Sequence, residues 1–465
     1  LKRLSLFLIP SLWQGFAALI TLPLYTYILG PAEFGAFALI ASMTGIATAV
    51  ITSGWLFLLS SDYLKISQQE RGRLASTIVI LGLCQGLLLS ALYLLTLPYM
   101  QRLWPEIAAA PRLALYLAIA EMLLGLPWAA ALTILVLENR AASYALIMTA
   151  KSLLGITATL FALYILRSGM LALFVGAALS AAASCAGAIW VLRGYIGSLP
   201  SWRWAREALR LTLTASPVNL LESLHVISER FLLTSTLGLS QLGIYSHSQQ
   251  YRQLANMPVG ALQKSMQSTL LAEAREPRLD FNKTRQAWEP AYLALTIAGI
   301  CLATCGQDVI RLITHDKFTA AAPWAALWMA YLLIQNSAQA QMGLLYANKN
   351  DRLRLKIMAT SMSLGIAALF LAIPRWGIAG AVICAFLQQI LIRSWLHLST
   401  GKHYDLPRTN AWIISGTALI VLALIATALT QPWGLAGRVM TMSSLLTLCV
   451  WPGLRHIKDL IKTLK

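Results

Sequence analysis

Leu29-Gly30-Pro31-Ala32-Glu33-Phe34-Gly35-Ala36-Phe37 returns 208 residues later as Leu237-Gly238-Leu239-Ser240-Gln241-Leu242-Gly243-Ile244-Tyr245. The shared frame is Leu-Gly-x-small-(Glu/Gln)-apolar-Gly-x-aromatic. Other fragments echo in the same order. Asn139-Arg140 answers to Asn348-Lys349, and Arg167-Ser168-Gly169 to Arg375-Trp376-Gly377. Between them, Ile147-Met148 with Leu154-Gly155-Ile156 answers to Ile357-Met358 with Leu364-Gly365-Ile366. Each fragment is weak alone, but their common order and nearly constant offset are hard to obtain by chance. The chain reads as a duplicated unit of roughly 200 residues followed by a tail, and internal repeats in membrane proteins point to transporters.

Composition agrees with a membrane protein. Of 465 residues, 58% are apolar and only 12% charged, where soluble domains carry roughly 25% charge. Mean hydropathy is +0.67. Apolar stretches recur from end to end, which predicts a polytopic α-helical protein with no separate soluble domain.

A net charge of +18 raises the question of nucleic acid. The placement of the charge argues against it. Lys and Arg concentrate in alternate loops: Lys2 and Arg3; Lys65, Arg71 and Arg73; Arg193, Arg203, Arg206 and Arg210; Arg275 to Arg285; Lys349 to Lys356; and Arg455 to Lys465. The intervening loops hold little beyond Arg102, Arg112, Arg167, Lys317, Arg375 and Arg438. This is the positive-inside asymmetry, and it predicts that both termini are cytoplasmic. The apolar run after Lys2-Arg3 continues past Pro10 to about Ile28 without a small-residue cleavage site, so it is expected to be an uncleaved first helix. The six cysteines all fall inside apolar segments. Cys301 and Cys305 lack companions for a metal site, so neither a metal nor a cofactor is expected.

At roughly 20 apolar residues per span, the chain predicts about fourteen transmembrane helices. Six occupy residues 1–200, six occupy 201–400, and two more with a basic tail occupy 401–465. An even helix count per copy means that the copies enter the membrane from the same side, as parallel repeats. The linker around Trp202, Arg203, Trp204 and Arg206 is expected to lie in the interface. Loops on the expected outer face are short, the longest being Met100 to Arg112, and none clusters His, Asp or Glu. An enzyme acting there is not expected.

The segment Leu22-Pro23-Leu24-Tyr25-Thr26-Tyr27-Ile28-Leu29-Gly30-Pro31-Ala32-Glu33-Phe34-Gly35 resembles the start of Wzx-type polysaccharide flippases, a branch of the multidrug/oligosaccharidyl-lipid/polysaccharide superfamily. Ser228-Glu229-Arg230-Phe231-Leu232-Leu233 is similar to their seventh helix, with Glu229 where Asp is commoner. Trp376-Gly377-Ile378-Ala379-Gly380-Ala381 is similar to the start of their twelfth. The similarity covers residues 1 to about 400. It implies a MATE-like fold of two six-helix lobes around a central cavity, in a bacterial inner membrane. It also implies a cargo: the polyprenyl-diphosphate-linked repeat unit of O-antigen or exopolysaccharide, carried to the outer leaflet. A polysaccharide polymerase and a chain-length regulator are the implied protein partners, and membrane lipid surrounds the protein.

A diphosphate cannot cross hydrocarbon without buried cations, and a sugar needs amide and hydroxyl partners. Arg252 falls near mid-membrane. Arg230, Lys151 and Lys264 are further candidates for the diphosphate. Gln249, Gln253, Asn256 and Gln339 are candidates for the sugar. Arg393 is expected nearer the cytoplasm. Glu222, His225 and Glu229 share one helical face beside Arg230 and are candidates for H⁺ or Na⁺ coupling, or else form an internal salt-bridge network. The first half is poorer in polar residues, with Gln14, Gln85, Glu121 and Lys151. A MATE-like drug or organic-cation exporter, an outer-face polymerase or ligase, and an assembly scaffold are the competing readings.

Overall fold

The computed structural model describes residues 13, 15, 17, 20–103, 111–138, 140–166, 169–195, 198–273, 282–347, 351–400, 407–430 and 437–449. Several sequence expectations fall elsewhere. Both termini, the basic tail after 450, residues 104–110 of the outer loop, and the repeat fragments at Asn139, Arg167-Ser168 and Asn348-Lys349 lie outside the described residues.

Among the described residues there is no strand. A helical stretch over 20–28 precedes α1 (Pro31–Asp62), α2 (Gln68–Leu103), α3 (Arg112–Leu137), α4 (Ala141–Leu166), α5 (Gly169–Leu192) and α6 (Trp202–Leu237). Then come α7 (Leu239–Glu273), α8 (Asn282–Thr314), α9 (Ala322–Ala347), α10 (Asp351–Thr400) and α11 (Pro407–Leu429), with a last helical stretch over 437–449. Among the described residues, eight helical spans are long and apolar enough, by length and composition, to cross a membrane. The chain is an all-α, multi-pass membrane protein. The helices α6, α7 and α9 are not among the eight.

The repeated motif supplies helix boundaries. Pro31 stands at the first position of α1, where its missing N–H costs nothing. The Gly30 N–H donates to Glu33 Oε2 at 3.2 Å, closing the first turn. In the second copy Gly238 takes φ of +83°, a left-handed conformation that suits glycine, and ends α6 while α7 begins one residue later. Gly377, with φ of +58° and ψ of −132°, breaks α10 just after Pro374. That break falls at the boundary expected between two helices.

The chain divides into two compact units, Leu1–Gly243 and Ile244–Lys465. The boundary expected near residue 200 lies just before α6, and α6 packs with the first unit, against α1. In that unit α5 packs on α3 and on α4. Small residues let the backbones approach. A β-carbon on Gly54 would collide with the Thr212 backbone, and one on Gly176 with Thr159. At one end a core of Trp55, Leu58, Tyr63, Leu74, Trp128, Ile134, Leu192 and Trp204 joins α1, α2, α3, α5 and α6. In the second unit α8 packs on α9 and α11, and α9 also packs on α10. Trp328, Phe318, Tyr292 and Tyr245 are its largest fully buried side chains.

Candidate functional site

In the second unit, Arg252 of α7 lies against two aromatic faces of α9. Its guanidinium carbon is 4.8 Å from the Trp328 ring centroid and 5.3 Å from that of Tyr331. The two rings are edge-on to one another, three residues apart on the helix. Each is held from behind. Trp328 Nε1 donates to Ser248 Oγ at 3.0 Å, and Gln389 Nε2 of α10 donates to the Tyr331 hydroxyl at 3.1 Å. Ser248 and Arg252 are one turn apart on α7, so both meet the same stretch of α9. Arg252 has no carboxylate partner among the described residues. A cation–π contact steadies the guanidinium but leaves its N–H donors available.

The amide stripe of α7 is graded. Gln249 is buried, Asn256 half-buried and Gln253 exposed. Lys264 lies on α7 and Gln339 on α9, but their side chains fall outside the described residues. Arg393 donates to Ser337 Oγ at 2.6 Å, joining α10 to α9.

The candidates on α6 sit in the first unit. Arg230 donates from Nη1 to the Ala38 carbonyl oxygen of α1. Its neighbour Glu229 is buried, His225 half-buried and Glu222 exposed. His225 Nδ1 is buried and makes no hydrogen bond among the described residues.

Lys151 faces a cavity of about 650 Å³ inside the first unit. Glu121 lines the same cavity from α3, as do Thr21 and Tyr25 near the chain start, Thr44 and Thr48 of α1, and Ser180 of α5. The Lys151 ammonium stands 5.4 Å from the Trp128 ring centroid. No contact within 4.0 Å joins Lys151 to Glu121, so the two opposite charges share the cavity without closing an ion pair. Sequence reasoning noted both residues without pairing them. It missed the Trp328–Tyr331 shelf altogether, although the i,i+3 spacing of the two aromatics was a visible signal.

Sequence comparison assigns the chain. The family model for polysaccharide biosynthesis protein matches residues 4–264. The chain belongs to this family of polysaccharide biosynthesis proteins. Among curated proteins, none matches its sequence. Its fold is similar to that of "Lipid II flippase MurJ" in an inward closed conformation, with a TM-score of 0.72 at 14% identity over 98% of this chain and 100% of that one. An inward-facing multidrug resistance MATE family transporter of the MOP superfamily gives 0.60 at 16% identity, over 88% and 98% of the two chains. A MOP superfamily transporter from Pyrococcus furiosus, described by a reverse polarity of its binding pocket, gives 0.58 at 15% identity, over 88% and 96%. The fold of this polysaccharide biosynthesis family member is thus that of MOP superfamily transporters.

Proposed function

We propose that this protein flips a polyprenyl-diphosphate-linked oligosaccharide across the bacterial inner membrane by alternating access. The observation that carries the reading is Arg252. A guanidinium in a membrane protein, held on aromatic rings and without an acid partner among the described residues, suits an anionic group brought by cargo. Gln249 and Asn256 lie on the same helix for sugar hydroxyls, and Arg230 and Lys151 of the first unit are the other candidate cations for the diphosphate. The family and a structural neighbour that flips lipid II support a lipid-linked saccharide as cargo. A drug or organic-cation exporter is disfavoured, because a cation would meet Arg252 with no acid paired to it among the described residues.

For ion coupling we favour Glu222, His225 and Glu229; Glu229 is buried, and His225 Nδ1 makes no hydrogen bond among the described residues. The test is a complementation assay for surface polysaccharide. Arg252→Ala should abolish it at normal membrane abundance. Arg252→Lys separates charge from bidentate geometry, since lysine supplies only the former. Full transport by Arg252→Ala would remove the anion site.

A further inference from the structure

A second polar cavity, about 450 Å³, opens where the first unit's basic loops meet. Three chain segments build it. Gln68 and Gln69 come from the start of α2, Arg140 from the α3–α4 turn, and Trp190, Arg193 and Ser198 from the end of α5 and the segment after it. The positive-inside pattern assigns this end to the cytoplasmic leaflet.

The frame of the cavity is fixed by the Glu138 carboxylate, which also lies beside Arg140, one of the lining cations. Glu138 Oε1 accepts the Tyr63 hydroxyl at 2.7 Å and the Tyr195 hydroxyl as well. Its Oε2 stands 3.7 Å from Arg140 Nη1. Ser76 Oγ of α2 donates to the Tyr195 carbonyl at 2.8 Å, and the Ser198 N–H donates to the same oxygen at 3.1 Å. The turn that carries Arg193 is thereby tied to α1, α2 and α3. The nearest acid on α2, Glu70, is occupied by Arg73 at 3.0 Å and by Trp204 Nε1 at 2.9 Å. Arg193 has no carboxylate partner among the described residues; its guanidinium lies over the Trp190 ring at 5.7 Å.

Two guanidinium groups, two amides and a hydroxyl around one recess form an oxyanion-binding set, and an exposed indole at its rim suits the membrane boundary. We propose that this cavity holds the phosphate of an anionic lipid in the cytoplasmic leaflet. The same phosphate chemistry is offered by a membrane phospholipid headgroup and by a polyprenyl phosphate. The site does not depend on the transport reading above.

Native mass spectrometry of the full-length protein would test it, with phosphatidylglycerol, farnesyl diphosphate and uncharged diacylglycerol as probes. Arg193→Gln should weaken retention of phosphatidylglycerol about tenfold, the loss expected for one charge-assisted hydrogen bond. Because Arg193 supports no ion pair among the described residues, that variant should keep its elution profile and helicity. Arg193→Lys should restore part of the binding. Displacement of phosphatidylglycerol by farnesyl diphosphate would place both sources in one site, whereas binding of phosphatidylglycerol alone would identify the headgroup as the ligand. Equal retention by Arg193→Gln and the unaltered protein, or equal retention of diacylglycerol, would overturn the proposal.

Discussion

Gly35 and Gly243 stand 208 positions apart and hold each other's helix at backbone distance. A β-carbon on Gly35 would fall far inside contact distance of the Leu239 carbonyl oxygen, and one on Gly243 would do the same to the Pro31 carbonyl oxygen. Pro31 and Leu239 are themselves equivalent positions of the repeated motif. The contact is therefore reciprocal: each copy sets its glycine on the carbonyl four residues before the other copy's glycine. Small residues at i and i+4 that let backbones touch are a common way to join membrane helices, where apolar burial gives no drive.

Adding one methyl at either glycine must part the first turns of α1 and α7. Gly35→Ala and Gly243→Ala should each lower stability by ~1–3 kcal/mol, the usual range for overpacking. Gly45→Ala is the control. It lies in the same helix with nothing within 4 Å of its added carbon, and in a helix interior alanine gains about 1 kcal/mol over glycine. Thermal unfolding of the three purified variants in detergent should order them as Gly45→Ala above the unaltered protein and the other two below it.

The Tyr63–Glu138–Tyr195 cluster predicts a pH dependence. Burial and the neighbouring Glu138 carboxylate push both phenols above the ordinary tyrosine value. An acid whose folded pKa is raised contributes its full stability below the unfolded value of about 10 and loses it as pH rises further. Stability from this cluster should stay flat from neutral pH to about 9 and fall beyond about 10. Removing both hydroxyls, with Tyr63→Phe and Tyr195→Phe together, should flatten that fall while lowering stability at neutral pH. A slope unchanged in the double variant would mean that the cluster is not closed as described.

What could be seen in advance followed from period and placement. The duplicated Leu-Gly frame, the Pro31 helix start and the break near Gly377 all carry local signals, since glycine and proline mark boundaries through backbone sterics alone. Arg230 is the opposite case. Its guanidinium reaches the Ala38 carbonyl, 192 residues away, a contact that its sequence neighbours do not announce. Glu138 likewise gathers two phenols separated from it by 75 and 57 residues. Contacts of that range depend on which helices become neighbours, and no periodicity within one helix encodes it. The packing of α6 on α1 escaped the repeat analysis for the same reason, because sequence symmetry divides the chain at the copy and not at the contact.

The aromatic shelf under Arg252 gives a graded test. Trp328→Phe keeps a ring but loses the indole N–H that reaches Ser248. A single neutral hydrogen bond is worth about 1 kcal/mol, so this variant should be mildly destabilised and keep transport. Trp328→Leu removes the cation–π face, worth ~0.5–2 kcal/mol, and should weaken transport more than it weakens stability. A complementation assay beside a thermal melt separates the two effects. Equal loss of both quantities in Trp328→Leu would assign the shelf a purely structural role.

Glu121 and Lys151 supply the last test, because they share a cavity without touching. Either charge alone in a membrane-embedded recess lacks its counter-ion, whereas removing both leaves no charge to offset. Glu121→Gln and Lys151→Gln should each destabilise, by ~1–3 kcal/mol given the access of the cavity to water, and the double variant should cost less than the sum. Transport distinguishes a structural pair from a working one. If Lys151 only balances Glu121, the double variant should transport normally. If Lys151 contributes positive potential to the diphosphate path, the double variant should recover stability but not transport, and Glu121→Gln alone should keep most of its activity. Strict additivity of the two stability losses would show that the charges do not sense one another, and the cavity would then be read as two independent polar anchors.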